Sequence, residues 1–167
     1  LPFQVHHGLD QITEPGPGQA GARAAYLGSD CNGAFAEYIA IGSKYCWKLD
    51  ALLERYANRD TVYEMGATVE RLSVSYNAIF IRAGGFKPGA YAAVYGGGPI
   101  GLTAMALLKA AGAAKVIAFE TVEARRKICS AMGADHVFDP VALVKQGTSP
   151  AKVVMDLTHG EGAEFQF

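Results

Sequence analysis

Residues 91–101 read Tyr91-Ala92-Ala93-Val94-Tyr95-Gly96-Gly97-Gly98-Pro99-Ile100-Gly101, and residues 115–120 read Lys115-Val116-Ile117-Ala118-Phe119-Glu120. Tyr91 to Tyr95 is a short apolar run of strand length, bounded by glycines. Pro99 to Ala111 has helix composition, with Pro at its start and Gly112 as its stop. Lys115 to Phe119 is a second strand. Strand, glycine loop, helix and strand make a βαβ unit. In such a unit the glycines have separate tasks. Gly96 permits the tight turn, Gly98 lets the backbone approach a pyrophosphate, and Gly101 lets helix and strand pack closely. Gly97, Pro99 and Ile100 complete the loop. The helix start offers unpaired N–H groups and about half a positive charge, which suits phosphate. Glu120 ends the second strand about 20 residues after Gly101, where a carboxylate accepts hydrogen bonds from ribose hydroxyls. Its charge repels a 2′-phosphate, so the reading favours NAD over NADP. Arg125 and Arg126 keep NADP open, since an arginine beside the acid can accommodate that phosphate. The competing reading, a plain tight turn beside a solvated Glu120, leaves the coincidence of loop and acid unexplained.

Composition sets the outer bounds. The chain has 167 residues, 50% hydrophobic and 19% charged, which is a globular composition. A formal net charge of -1 gives no electrostatic case for nucleic acid or an anionic membrane. Ile100 to Ala114 is broken by Lys109 and is shorter than the ~20 apolar residues of a membrane span. The first residues lack the basic start and apolar core of a secretory signal. The chain begins with Leu1 rather than Met, and the expectation is that the true start lies upstream. Cys31, Cys46 and Cys129 are far apart and form no C-x-x-C pair. That sparse, odd count fits a reducing, cytoplasmic setting, with each cysteine a small buried hydrophobe or a free thiol.

Outward from the loop, the strand–helix rhythm continues. Val122 to Met132 reads as a helix stopped by Gly133, and His136 to Phe138 as a third strand. Lys152 to Thr158 reads as a helix, and Gly162 to Phe167 as the start of a fourth strand. Upstream, residues 61–83 read as a helix with Thr61 as N-cap and Glu64 completing a capping box. Met65, Val69, Leu72, Tyr76 and Phe80 give it an apolar face, and Gly84-Gly85 end it. Residues 33–48 carry Phe35, Tyr38, Ile39, Ile41 and Tyr45 and read as one or two strands. Residues 1–32, centred on Pro15-Gly16-Pro17-Gly18, read as an irregular arm. No internal repeat stands out.

Four stretches together resemble the zinc-containing medium-chain dehydrogenase/reductases, in particular the polyol and cyclitol branch. They are Gly33-Ala34-Phe35-Ala36-Glu37-Tyr38, Val69-Glu70-Arg71-Leu72-Ser73-Val74-Ser75-Tyr76-Asn77-Ala78, the glycine loop, and Met132-Gly133-Ala134-Asp135-His136-Val137. The resemblance implies an α/β fold, a partial Rossmann doubly wound parallel sheet preceded by a remnant of a GroES-like β domain. It divides the chain into an arm (1–32), the GroES-like remnant (33–60), a connecting helix and turn (61–89) and a truncated Rossmann NAD-binding domain (90–167). The activity it implies is zinc-assisted hydride transfer from a small alcohol or polyol to NAD. Carried over by position, Gly96 to Gly101 hold the pyrophosphate and Glu120 the adenosine ribose. Arg125 lies beside the adenine ribose, Val74 near the nicotinamide, and Glu70 at or next to the zinc. The parent enzymes form homo-oligomers.

The chain departs from that family. The zinc cysteine and the Gly-His-Glu segment are missing, as is the four-cysteine lobe, and Arg71 stands where the family usually has proline. His6, His7, His136 and His159 are poor replacement ligands. A catalytic zinc needs three protein ligands, so the expectation is a truncated chain lacking activity. Its sheet lacks the last two of the usual six strands, and the exposed edge invites self-association. The alternatives are a nucleotide-binding fragment without redox chemistry, or a zinc-free quinone-reductase relative using NADPH.

Overall fold

A computed structural model describes residues 32–167. The arm expected over 1–32 falls, Asn32 apart, outside them. The chain divides into two units, residues 1–62 and 63–167, with the boundary inside a helix.

In the first unit, the expected strands over 33–48 do not form. The described residues there hold a 3-10 turn at Ser43–Tyr45 and otherwise bends and irregular chain. Phe35, Tyr38 and Trp47 are exposed. A strand needs a ladder partner for its N–H and C=O groups, and among the described residues none pairs with this segment. A short helix that the sequence reading passed over, α1 (Asp50–Tyr56), follows and ends on Ala57 in the left-handed region (φ 52°). The next helix, α2 (Arg59–Tyr76), starts two residues before the expected cap. Asn58, not Thr61, caps it: Asn58 Oδ1 accepts from the Thr61 N–H at 3.1 Å. A short amide side chain just before the helix reaches back to its third N–H, as an N-cap does.

In the second unit, α2 continues into a π-helical turn, Asn77–Arg82. The expected apolar face is only partly used. Val69, Leu72 and Tyr76 are exposed, whereas Ser75 and Ile79 are fully buried and Phe80 packs at the edge of the core. The wider π turn shifts which side chains face inward, and a polar contact at Ser75, described below, sets the docked face. Gly84 and Gly85 then end the helix at φ 78° and 80°.

The Rossmann part follows its sequence closely. The elements are β1 (Tyr91–Tyr95), α3 (Pro99–Ala110), β2 (Lys115–Phe119), α4 (Glu123–Ala131), β3 (His136–Phe138), α5 (Pro140–Lys145), α6 (Pro150–Leu157) and β4 (Phe165–Gln166). Helix α5 was not foreseen; Asp139 caps it by accepting from the Val141 and Ala142 N–H groups. The strands form one parallel sheet in the order β3-β2-β1-β4. Alternate side chains feed opposite faces. Ala92, Val94, Val116 and Ala118 pack with Ala104, Met105 and Leu108 of α3 and Cys129 of α4. Ala93, Ile117 and Phe119 pack with Leu143 of α5 and Val154 of α6. Both faces are thus covered, which is why the strands read as continuous apolar runs.

One ion cluster fixes the end of the sheet remote from the glycine loop. Asp135 Oδ2 accepts from the Val116 N–H at 2.7 Å and pairs with Lys109 Nζ at 3.1 Å. Burial pushes its carboxyl up, but the Val116 N–H and Lys109 outweigh that and hold it below the usual range.

Candidate dinucleotide site

The loop joins the C-terminal end of β1 to the N-terminus of α3. Gly96 has φ 111°, the left-handed region that favours glycine. At Gly101 a Cβ would run into the Gly96 carbonyl oxygen, so helix and strand can approach only without a side chain there. At Gly98 a Cβ would meet nothing within 4 Å. This glycine faces open space, as a position that a ligand approaches must. The tight turn at Gly96 and the close packing at Gly101 have this geometry behind them.

Gly97 has a task the sequence reading did not assign. It is buried, and a Cβ there would lie 2.7 Å from Cys129 Sγ and 3.0 Å from the Glu120 carboxylate. Its N–H donates to Glu120 Oε2 at 2.6 Å. No spacing rule signals this, because the constraint comes from α4 and from the end of β2. Cys129 is the buried apolar residue expected; burial, with the Glu120 charge next, pushes its thiol up, so it stays uncharged.

Glu120 is 6% exposed. Its second oxygen, Oε1, accepts from the Val122 N–H at 2.7 Å and from the Thr121 hydroxyl at 3.2 Å. The Val122 N–H lowers its pKa; desolvation opposes this, and Gly97, Thr121 and the nearby Arg125 charge add to the lowering. Glu120 is thus an anion at neutral pH, fixed on both oxygens.

The donors of the loop divide into two sets. The Gly96 N–H is spent on the Phe119 carbonyl at 2.8 Å, and the Gly97 N–H on Glu120. Leu102 N–H closes the first turn of α3 on the Gly98 carbonyl. The N–H groups of Gly98, Ile100 and Gly101 have no acceptor among the described residues. Pro99 has no N–H to give. These are the orphan donors of a helix start, at the positive end of a helix dipole.

The two arginines separate. Arg126 Nη1 donates to the Glu120 and Thr121 carbonyls, at 3.0 and 2.6 Å, and pairs with Asp139 at 3.5 Å. It is occupied in holding the β2–α4 turn. Arg125 is exposed on the first turn of α4. Upstream, Glu70 and Val74 are exposed on α2, four residues apart and so on one stripe of it. Among the described residues no three His, Cys, Asp or Glu side chains converge as a metal centre requires. Among the described residues, those around Glu70 do not complete the ligand set of a catalytic zinc.

The comparisons with known proteins follow the same outline. A family profile described as zinc-binding dehydrogenase matches residues 99–167. The scyllo-inosose 3-dehydrogenase of Thermotoga maritima is 45% identical over 138 residues, 83% of this chain and 33% of that protein. The L-threonine 3-dehydrogenase of Thermococcus kodakarensis is 36% identical over 83% of this chain and 35% of its own length. Among solved structures, one from Thermotoga maritima described as an alcohol dehydrogenase superposes with a TM-score of 0.76 at 44% identity, over 84% of this chain and 34% of that one. The alcohol dehydrogenase of Aeropyrum pernix superposes with a TM-score of 0.66 at 32% identity, over 84% and 38%. The chain spans about a third of the length of the curated relatives it matches. With the parallel sheet and the glycine loop, these likenesses make the chain similar to part of the zinc-containing medium-chain dehydrogenase/reductases.

Proposed function

We propose that this chain binds NAD and supplies the cofactor-holding half of a dehydrogenase acting on a small alcohol or polyol. One observation carries the reading: at the start of α3 the N–H groups of Gly98, Ile100 and Gly101 have no acceptor among the described residues, and a Cβ at Gly98 would meet nothing within 4 Å. The N–H groups of Gly98, Ile100 and Gly101 hold the pyrophosphate. Glu120 keeps lone pairs beyond those used by its protein donors, and these accept from the adenosine ribose hydroxyls. Its negative charge disfavours a 2′-phosphate, so NAD binds better than NADP. Arg125 lies at the rim of the same ribose site, and Val74 towards the nicotinamide. When bound, NAD supplies a nicotinamide that accepts hydride as the alcohol carbon becomes a carbonyl.

The described residues do not assemble a set of zinc ligands, and Glu70 is at most one member of such a set. Two of the relatives are named for acting on scyllo-inosose and on L-threonine, and the substrate class is inferred from those names alone. Calorimetry with NAD and NADP tests the cofactor reading. NAD is expected to bind more tightly, and Gly98→Asp to abolish binding while Glu70→Gln leaves it unchanged. Equal binding by Gly98→Asp would end this reading, and tighter binding of NADP would turn it towards a quinone-reductase-like relative. Zinc analysis and turnover over a polyol panel, on the same chain, separate cofactor binding from catalysis. Binding without zinc or turnover is the expected result.

A further inference from the structure

Ser75 is a fully buried polar residue that the cofactor reading does not use. Its Oγ lies 2.9 Å from the Ile100 carbonyl oxygen and 2.7 Å from Thr103 Oγ1. Thr103 Oγ1 in turn reaches the Ile100 carbonyl at 2.8 Å, the Pro99 carbonyl at 3.2 Å and the Arg71 carbonyl of α2 at 3.3 Å. Ser75 also reaches Arg71 at 3.4 Å. Two hydroxyls, one from each helix, thus bracket the first turn of α3 from behind. The carbonyls they hold belong to Pro99 and Ile100, within the turn whose N–H groups face outward.

We propose that Ser75, acting with Thr103, is a positioning residue for the phosphate cradle. It sets the place and tilt of the first turn of α3, and hence the aim of the Gly98, Ile100 and Gly101 N–H groups. Ser75 is wholly buried and touches no ligand, so its effect passes through the Ile100 carbonyl. The loop itself offers little else to hold this turn. No side chain caps α3, its N-cap is Gly98, and Pro99 gives no N–H. The bracket supplies from behind the restraint that a capping side chain would supply from the front, and it leaves the front open. A Ser, Thr or Asp cap on the loop would occupy the N–H groups that the phosphates need.

The proposal rests on the cofactor reading above, and its test keeps the two apart. In the 167-residue chain, Ser75→Ala, Thr103→Val and Thr103→Ser are compared with the unchanged protein. Binding of NAD and ADP-ribose is measured by calorimetry, and binding of adenosine by competition. Amide hydrogen exchange at residues 96–102 is followed without ligand, and thermal melting is recorded. Ser75→Ala and Thr103→Val are expected to weaken NAD and ADP-ribose about three- to ten-fold, the range of one buried hydrogen bond. Adenosine, which meets Glu120 but no phosphate donor, is expected to bind unchanged. Exchange of the Leu102 N–H, which closes the first turn of α3 on the Gly98 carbonyl, rises in both variants, while Thr103→Ser, which keeps the hydroxyl, behaves as the unchanged protein. A fall in melting temperature with unaltered NAD affinity and exchange would overturn the positioning role, as would equal weakening of adenosine and NAD. If the unchanged protein binds neither NAD nor ADP-ribose, the cofactor reading fails first, and the exchange data still decide whether the bracket holds the turn. Thr103→Val, close to isosteric, decides the case if Ser75→Ala does not fold.

Discussion

Gly97→Ala is the substitution whose effect can be worked furthest from the structure. The new Cβ would sit 2.7 Å from Cys129 Sγ and 3.0 Å from both Cγ and Oε2 of Glu120. Ordinary contact between such atoms begins near 3.5 Å. Either the loop lifts by most of an ångström, or α4 and Glu120 move away. Overpacking of this kind costs about 1–3 kcal/mol. If the movement also breaks the 2.6 Å bond from the Gly97 N–H to the ionised Glu120, a further ~1.5–3 kcal/mol is lost. Cys129→Ala removes the nearest obstacle and by itself costs about 1 kcal/mol, as a small buried side chain does. The two sites touch, so their effects should not add. In the Cys129→Ala background, Gly97→Ala is expected to cost at least ~1 kcal/mol less than in the parent. Urea unfolding of the four proteins measures this cycle. A coupling below about 0.5 kcal/mol would mean that Cys129 is not what keeps position 97 a glycine, and the packing account of the loop would fall.

Acid unfolding checks the electrostatics. The pKa of Glu120 is lower in the folded protein than its ordinary 4.5, so the unfolded chain takes up the proton first. Its contribution to stability is therefore complete above the ordinary value and is lost as pH falls through the folded one. Glu120→Gln should flatten that part of the stability–pH curve, and an unchanged curve would show that the carboxylate is not held as described. Asp135→Asn tests the opposite end of the sheet. Weakening the bonds to Lys109 and the Val116 N–H should cost about 1–3 kcal/mol in urea unfolding and leave NAD affinity unchanged. A matching loss of NAD affinity would mean that the two ends are coupled.

What could be read from the sequence divides along a physical line. The Rossmann elements were legible because each carries its own local signal. The strands β1 and β2 are apolar runs of the right length, and Gly96, Gly112 and Gly133 mark turns that require a positive φ. Parallel order follows from the alternation of strand and helix. The upstream segments were read less well because their structure depends on partners. Phe35, Tyr38 and Tyr45 have the composition of a strand, but composition supplies no ladder. In α2 the periodicity picked Val69 and Leu72, while the docked face turned out to be set by Ser75, a polar residue that an apolar template passes over. Likewise at the loop, Gly96, Gly98, Gly101 and Glu120 were picked by spacing alone. The packing roles of Gly97, Cys129, Ser75 and Thr103 were not, since they exist only once α2 and α4 are packed beside the loop.

The contacts made by Glu120 tie two properties together that spacing treats as separate. The sequence gives this carboxylate a role towards the ribose, whereas the structure shows it bonded to the loop through Gly97 and to its own turn through Val122 and Thr121. On the proposed reading, a ribose hydroxyl adds to this arrangement by using a remaining lone pair, and nothing has to move. A 2′-phosphate has no such option. Its charge sits against a fixed anion, and the carboxylate can swing away only by releasing the Gly97 N–H inside a buried turn. The cost of accepting NADP is then repulsion plus a loosened phosphate cradle, not repulsion alone. It follows that exchanging Glu120 for an apolar residue such as alanine should not simply convert the site to NADP. It removes the repulsion and also the bond that holds Gly97, so affinity for both dinucleotides falls before preference can change.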